Sequence, residues 1–148
     1  MAKRSAIQRD NVCDLPGEKW KDVPGHVGVY QVSNKGRVKR VPTTVMEITQ
    51  SGEVISTRST EEYILQPTAR KDCGYLRVGL TRGGKVRVAD VHRLVAQAFC
   101  PKLPEEIEVH HIDRDRLNNE AINLIWLTPE DHSRVHRRKH HSWRGAAV

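Results

Sequence analysis

The 148-residue sequence has few aromatic side chains and no long apolar run. Aromatic residues make up 5% of it, phenylalanine occurs once, and 37% of the residues are hydrophobic. A chain of this length and composition buries a modest core, so we expect part of its stability to come from another source. Neither a membrane-spanning run nor the apolar segment of a signal peptide is present, so we expect a cytoplasmic protein without a membrane partner.

Cysteine is also scarce. Cys13, Cys73 and Cys100 are an odd number at wide spacing, and no C-x-x-C pair occurs. This pattern excludes both a cysteine-based zinc finger and a framework of disulfides. We therefore expect three free thiols.

Basic residues outnumber acidic ones. The sequence has 25 Lys and Arg against 18 Asp and Glu, which gives a net charge of +7. A basic balance of this size is most typical of proteins that bind nucleic acid, although it would also suit a ribosome-associated factor.

The segment from 106 to 136 has the pattern of two strands followed by a helix. Residues 106–113 alternate like a strand, residues 124–127 are a second short apolar run, and a polar loop separates them. Thr128 and Pro129 predict the beginning of the helix, because threonine caps a helix and proline suits its first position.

Histidines in this segment have a spacing that suits metal binding. His132 and His136 are four residues apart, so they share a helix face and can both reach one ion. A third ligand would come from the strand, from His110 or His111. Because adjacent strand residues point to opposite sides, only one of the two would bind the ion, which leaves the other to handle a proton. A structural zinc site is the alternative, but such sites normally have four ligands, whereas three histidines leave room for water or phosphate.

The same residues resemble the HNH endonucleases. The run V-H-H-I-D, followed by N-N, I-N-L and H-x-x-x-H, is similar to the family whose ββα-metal fold holds one divalent ion between a β-hairpin and a helix. Position by position, the resemblance implies that His110, His132 and His136 bind the metal, that His111 is the general base, and that Asn123 fixes the loop and orients the base. The ion could be Zn, Mn, Ni or Mg, and three imidazoles suit the first three better than magnesium.

Three further polar residues near this motif receive no part in the chemistry. Asn118 and Asn119 are interpreted as loop residues that tolerate left-handed geometry. Residues 90–100 are predicted to form a helix that ends before Pro101. His92 on that helix is interpreted as a packing or hydrogen-bonding residue and not as a further ligand.

The N-terminal part also carries a resemblance. Residues 18–41 predict a tight hairpin and are similar to a small module that is often attached to phage and intron-encoded HNH nucleases and is thought to assist DNA binding. Residues 42–62 form a Thr-rich insert that could be a hairpin. The predicted organisation is a flexible arm, a small β module, the nuclease domain and a basic tail, over 1–17, 18–66, 67–139 and 140–148 respectively.

A second hairpin is predicted over residues 76–88. We prefer a three-residue turn over 82–84, because it pairs Leu80 with Val86 and Val78 with Val88. This register would place three basic residues on one face and a fourth at the tip, where they could follow DNA phosphates, although an ordinary solvated face is the alternative. The predicted DNA-binding residues are Arg77, Arg82, Lys85 and Arg87 of this hairpin and Arg137, Arg138 and Lys139 near the C-terminus.

The sequence thus predicts an α+β fold, with N-terminal antiparallel β hairpins and a helix followed by a ββα-metal nuclease motif. The predicted function is metal-dependent hydrolysis of phosphodiester bonds in double-stranded DNA, by nicking or double-strand cleavage, in a phage or homing context. The alternative is a noncatalytic DNA-binding regulator with a structural metal site. A monomer and a homodimer both remain open.

Overall fold

The computed structural model describes residues 13–142, and their side chains as far as residue 137. The fold is α+β, as predicted. The predicted arm 1–17 and tail 140–148 lie mostly outside the described residues. In chain order the elements are β1 (Trp20–Asp22), β2 (Tyr30–Ser33), β3 (Val38–Arg40), β4 (Thr44–Ile48), β5 (Val54–Ser59), β6 (Tyr63–Ile64), β7 (Thr68–Ala69), β8 (Leu76–Arg82), β9 (Lys85–Asp90), α1 (Val91–Phe99), β10 (Glu108–His111), a 3-10 turn (Ala121–Asn123), β11 (Leu124–Leu127) and α2 (Pro129–Ser142).

The N-terminal region forms an antiparallel sheet with the strand order β1-β2-β3-β6. The predicted hairpin joins β2 and β3, with Val32 opposite Val38. Its turn is held by Ser33, whose hydroxyl accepts the backbone N–H groups of Lys35 at 3.2 Å and Arg37 at 3.1 Å. Val32 and Val38 are buried, so this sheet presents an apolar side to the rest of the molecule.

The Thr-rich insert forms the hairpin of β4 and β5, which pair only with each other. Every residue of its two strands is exposed except Ser56, which is half-buried. Thr43 and Thr60 close its base, with their hydroxyl oxygens 2.8 Å apart. The insert therefore adds no buried core residue of its own.

The second hairpin, β8 and β9, has a different register from the predicted one. Leu80 lies opposite Arg87 and Thr81 lies opposite Val86, so the turn has two residues and the three-residue prediction is wrong. Gly83 and Gly84 both have positive φ, 56° and 76°, and two consecutive left-handed residues make the turn that matches the twist of an antiparallel hairpin.

This register separates the basic side chains of the hairpin. Opposite residues of antiparallel strands share a face, so Lys85 and Arg87 lie on the side of Leu80. Arg77 has the opposite parity and lies on the outer side with the exposed Val86. The predicted single face with Arg77, Lys85 and Arg87 is therefore wrong.

Helix α1 packs at the centre of the fold. It occupies most of the predicted span 90–100, and its buried residues include Val91, Leu94 and Val95. The core is one cluster that includes residues of the N-terminal sheet, of strand β8, of α1 and of the β10–β11 hairpin. Its members are Val23, Tyr30, Val32, Val38, Val78, Leu80, Val91, Leu94, Val95, Ala96, Val109, Leu124 and Trp126.

The shared core has a consequence for the domain division. Regions 18–66 and 67–139 are packed side by side on the same cluster, and the Thr81 backbone N–H donates to the Tyr30 hydroxyl at 3.0 Å. Their independence as folding units remains a prediction. Cys13, Cys73 and Cys100 are free thiols, as predicted. Among the described residues, no helix is long and apolar enough to cross a membrane.

Candidate active site

The candidate site is built on a β-hairpin and a helix near the C-terminal end. Strand β10 pairs antiparallel with β11, and His110 lies opposite Ile125. Helix α2 follows directly, and the Thr128 hydroxyl accepts the backbone N–H of Asp131 at 3.2 Å, so the predicted helix start is confirmed. The observed strand β10 is shorter than the predicted span 106–113 at both ends, and a turn follows it at residues 112–113.

Three predicted metal ligands come together between the hairpin and the helix. One ring nitrogen each of His110, His132 and His136 can be chosen so that all three lie within 4.8 Å of one another. The Nε2 atoms of His132 and His136 are 3.2 Å apart. His110 is buried, whereas His132 is half-buried and His136 is exposed, so the cluster lies at the edge of the core.

Glu108 fixes one of these imidazoles from behind. Its carboxylate is 2.6 Å from Nδ1 of His132, which turns Nε2 of that ring toward His136. A carboxylate on the far nitrogen is the usual support for a histidine that binds metal. No role was predicted for Glu108, although its position two residues before His110 places both on one strand face.

The histidine cluster fits a divalent ion. Burial lowers the pKa of His110, and the nearby His132 and His136 lower it further, which favours the neutral imidazole that can bind metal. Three nitrogen donors leave coordination positions for water or phosphate.

His111 points to the other side of the strand. It is 3% exposed, and its Nε2 is 2.8 Å from Oδ1 of Asn119. Its ring lies against two others, with centroid distances of 5.8 Å to Tyr75 and 5.2 Å to His92. The two adjacent histidines therefore have separate partners, as the strand alternation predicts.

His92 stays outside the metal cluster. It is buried and packs on Tyr75 at a centroid distance of 4.7 Å, which agrees with its interpretation as a packing residue. Burial, together with the charge of His111, lowers the pKa of His92 to about 4, so its ring is neutral near pH 7. Within the described region its Nδ1 has no hydrogen-bond partner.

Asn123 fixes the loop between the two strands. Its Oδ1 accepts the backbone N–H of Asp113 at 3.0 Å, and its Nδ2 donates to the Asp113 carboxylate at 2.8 Å and to the Asn118 carbonyl at 2.9 Å. Hydrogen bonds from Asn118, the Asp115 backbone and Asn123 lower the pKa of Asp113. The side chain that hydrogen-bonds His111 is Asn119, however, which the sequence analysis treated as a plain loop residue.

The cluster of His110, His132 and His136 lines the same cleft as His111, and the cleft has a volume of about 210 Å³. Tyr75, Arg114 and Arg116 also line it. The Arg116 guanidinium lies 4.8 Å from the centre of the Tyr75 ring and donates to the Cys73 carbonyl. Sequence reasoning missed these cations because the conformation of the polar loop decides where they point, although two arginines beside a predicted site were a signal.

The predicted DNA-binding residues lie elsewhere on the molecule. Arg77, Arg82, Lys85 and Arg87 are exposed on the β8–β9 hairpin and none of them lines the cleft. Arg82 also donates to the Gly25 carbonyl at 2.6 Å, which ties this hairpin to the N-terminal sheet. Arg137 is exposed on α2, while the side chains of Arg138 and Lys139 lie outside the described residues.

Two family models match the chain, one over most of the candidate site and one over the N-terminal half. A model described as HNH endonuclease matches residues 89–134, which include β10, β11 and the first part of α2 with His132 but end before His136. A model described as NUMOD4 motif matches residues 18–81. The chain therefore contains an HNH endonuclease motif over residues 89–134 and a NUMOD4 motif over residues 18–81. The predicted resemblance is confirmed, and the N-terminal match extends well beyond residue 41.

Known relatives agree with this assignment. DNA endonuclease I-HmuI of Bacillus phage SP01 is 36% identical over 110 residues, which cover 74% of this chain and 52% of the relative. H-N-H endonuclease F-TflII of Escherichia phage T5 is 38% identical over 87 residues, 57% of this chain and 44% of the relative. A solved structure described as "DNA binding and cleavage by the HNH homing endonuclease I-HmuI" matches with a TM-score of 0.63 and 35% identity, over 82% of this chain and 59% of that one. The chain spans about half the length of these curated relatives.

Proposed function

We propose that this chain is a metal-dependent DNA endonuclease of the phage or homing type, which hydrolyses phosphodiester bonds in double-stranded DNA. The observation that carries the proposal is the convergence of the His110, His132 and His136 ligand atoms within 4.8 Å, beside a fourth histidine that lines the same cleft. The names of the relatives support it, since both are endonucleases of phages.

In this proposal His110, His132 and His136 hold one divalent ion. A divalent ion held there would supply the charge neutralisation that hydrolysis of a phosphodiester needs. Glu108 keeps the His132 ring aimed, and the three imidazoles favour zinc, nickel or manganese over magnesium.

His111 is the proposed general base. A neutral imidazole can take the proton of the attacking water, and His111 lines the cleft in which the phosphate would lie. Asn123 holds the loop that follows His111 through its three hydrogen bonds. Arg114 and Arg116 line the same cleft and would bind the phosphate oxygens with their guanidinium groups.

Double-stranded DNA is the proposed partner. The net charge of +7 favours binding to a polyanion. The exposed Arg137 and the basic side chains on one face of the β8–β9 hairpin, either Arg77 or the pair Lys85 and Arg87, would contact backbone phosphates. Such contacts position the duplex and carry little sequence information, so site preference would come from other residues.

A plasmid-nicking assay tests the proposal. The purified chain is treated with a chelator, and each of Zn, Mn, Ni and Mg is then added separately to supercoiled plasmid. We expect cleavage that the chelator abolishes and at least one ion restores, and the nicked or linear product shows whether one or two strands are cut. A parallel preparation of His111→Ala controls for contaminating nuclease. A chain that binds metal and DNA but cuts with none of the ions would be the noncatalytic regulator instead.

A further inference from the structure

The loop that carries Asn119 packs against a turn of the N-terminal sheet. A Cβ added at Gly36 would lie 3.0 Å from the carbonyl oxygen of Asn119 and 3.1 Å from its Cβ. The next two loop residues face the same turn, because the Ala121 backbone N–H donates to the Asn34 carbonyl at 2.8 Å and the Lys35 ammonium is 3.9 Å from Glu120. Loop residues 119–121 thus lie along turn residues 34–36.

The turn itself is fixed from behind. The Asn34 side chain accepts the backbone N–H of Lys19 at 2.7 Å and donates to the Gly17 carbonyl at 3.2 Å. Its backbone N–H donates to the Lys19 carbonyl at 3.1 Å. Gly36 has a φ of 83°, a conformation that residues with a side chain rarely adopt. A rigid turn therefore contacts the loop at the one residue that can come this close.

On its other side, the loop meets the proposed base. Asn119 is 4% exposed, and its Oδ1 is 2.8 Å from Nε2 of His111. An amide oxygen only accepts hydrogen bonds, so this contact requires the hydrogen on Nε2 and leaves Nδ1 of His111 as the proton acceptor. Within the described region the Asn119 Nδ2 has no hydrogen-bond partner, so the restraints on Asn119 are the Oδ1 contact with His111 and the close approach of Gly36 to its backbone and Cβ.

We infer that Asn119 is a positioning residue that selects the Nε2–H tautomer of His111, and that the turn Ser33–Gly36 of the N-terminal sheet holds Asn119 in place. The inference rests on the proposed function, in which His111 takes the proton of water. It makes the NUMOD4 region a structural part of the nuclease site as well as a candidate DNA-binding module. A DNA-binding module that was merely attached to the nuclease would not need such a close glycine contact at the loop that carries Asn119.

The first test replaces Asn119 and reads the tautomer directly. Side-chain nitrogen NMR of the uniformly labelled full chain distinguishes Nε2–H from Nδ1–H imidazole. We expect wild-type His111 to be the Nε2–H form, Asn119→Asp to keep it because an acceptor oxygen remains, and Asn119→Leu to lose it. The cleavage kcat of Asn119→Leu should fall about 10- to 100-fold, a part of the about 10²- to 10⁴-fold that a positioned base contributes. Its KM and metal content should be unchanged.

The second test separates the glycine contact from backbone strain. Gly28 has a φ of 74° and no atom within 4 Å of an added Cβ, so Gly28→Ala introduces strain without a contact. Gly36→Ala introduces similar strain and also pushes on Asn119. Both variants should lose thermal stability, but only Gly36→Ala should change the His111 nitrogen signals and lower kcat.

The outcomes are distinguishable. An unchanged His111 tautomer in Asn119→Leu would overturn the positioning role, and equal His111 signals in the two glycine variants would overturn the role of the turn. Absence of cleavage by the wild-type chain with every ion would overturn the proposed function instead, since the NMR readout needs no activity. Rescue of tautomer and rate by Asn119→Asp, with Asn119→Leu impaired in both, would support the inference.

Discussion

Two adjacent residues of one strand lie in very different surroundings. His110 faces α2 and the half-open cluster with His132 and His136, whereas His111 lies with Asn119 and is enclosed by the rings of Tyr75 and His92. The first environment brings ring nitrogens of three histidines close enough to share one ligand, and the second fixes a ring with a hydrogen bond and packing. A single dipeptide can thus serve binding and proton transfer separately, because strand geometry sends its side chains to opposite faces.

The largest effect on the cleavage rate is expected when His111, the enclosed histidine, is replaced. His111→Ala should lower the cleavage rate by about 10²- to 10⁴-fold, the usual contribution of a general base. Its metal content should persist because His110 lies on the opposite face. The matched variant His110→Ala should instead lose metal and thermal stability together, since binding stabilises the folded state. Single-turnover kinetics measure the cleavage rate, and elemental analysis measures the metal content. A His111→Ala chain that cuts at the normal rate would show that the two histidines do not have different roles.

Low pH should destabilise the fold by protonating His92, which packs against His111. Burial, together with the charge of His111, lowers its pKa from 6.5 to about 4. Its neutral form is therefore favoured in the folded state, so the contribution to stability is present above about pH 6.5 and is lost as the pH falls toward 4, by about 3 kcal/mol in full. Urea unfolding of the wild type and His92→Phe between pH 7 and 4 measures this loss. We expect a flatter dependence for His92→Phe, and identical curves would contradict the assignment.

Metal affinity of the His110, His132 and His136 cluster should depend on the Glu108 carboxylate. Glu108→Gln removes the charge that faces Nδ1 of His132, so metal affinity should fall by about tenfold, the low end for such supporting residues. Glu106→Gln is the control, because Glu106 accepts the Leu103 backbone N–H and lies outside the histidine cluster. Competition with a metal indicator measures both, and equal affinities would show that Glu108 does not support the ligand.

The smallest effect concerns DNA affinity at the β8–β9 hairpin. Loss of one phosphate contact should reduce the slope of log affinity against log salt by about 0.9. Arg77 and Arg87 lie on opposite faces of the hairpin, so only one of the two alanine variants should change the slope if a single face meets DNA. Binding would be measured at several salt concentrations in a His111→Ala background. Unchanged slopes in both variants would show that the hairpin is merely solvated.

The part of the site that sequence reasoning found is the part that follows from local geometry. Four-residue spacing on a helix and alternation on a strand suffice to bring His110, His132 and His136 together. The Glu108 contact was also within reach, because it depends on the same alternation. The α+β class followed from the same periodic patterns.

The parts that it missed depend on contacts between distant segments or on loop conformation. Asn119 contacts Gly36, which lies far upstream, and no pattern around either residue announces the pairing. The predicted hairpin register was wrong because the pairing of Leu80 with Val86 and of Val78 with Val88 was expected to decide it. The pair of left-handed glycines decided it instead, and Val86 remains 64% exposed. Arg114 enters the cleft with a positive φ of 66°, which residue type alone does not indicate.

The closed base of the β4–β5 hairpin has a consequence for engineering the chain. The Thr60 backbone N–H donates to the Thr43 carbonyl at 2.9 Å, so the two ends of the insert lie side by side. A short turn could join them without moving either flank, and the strands between them contribute nothing to the central cluster. The β4–β5 hairpin is therefore a suitable insertion site. A fluorescent label, an affinity tag or a foreign peptide placed there would be exposed and would leave the histidine cleft unchanged.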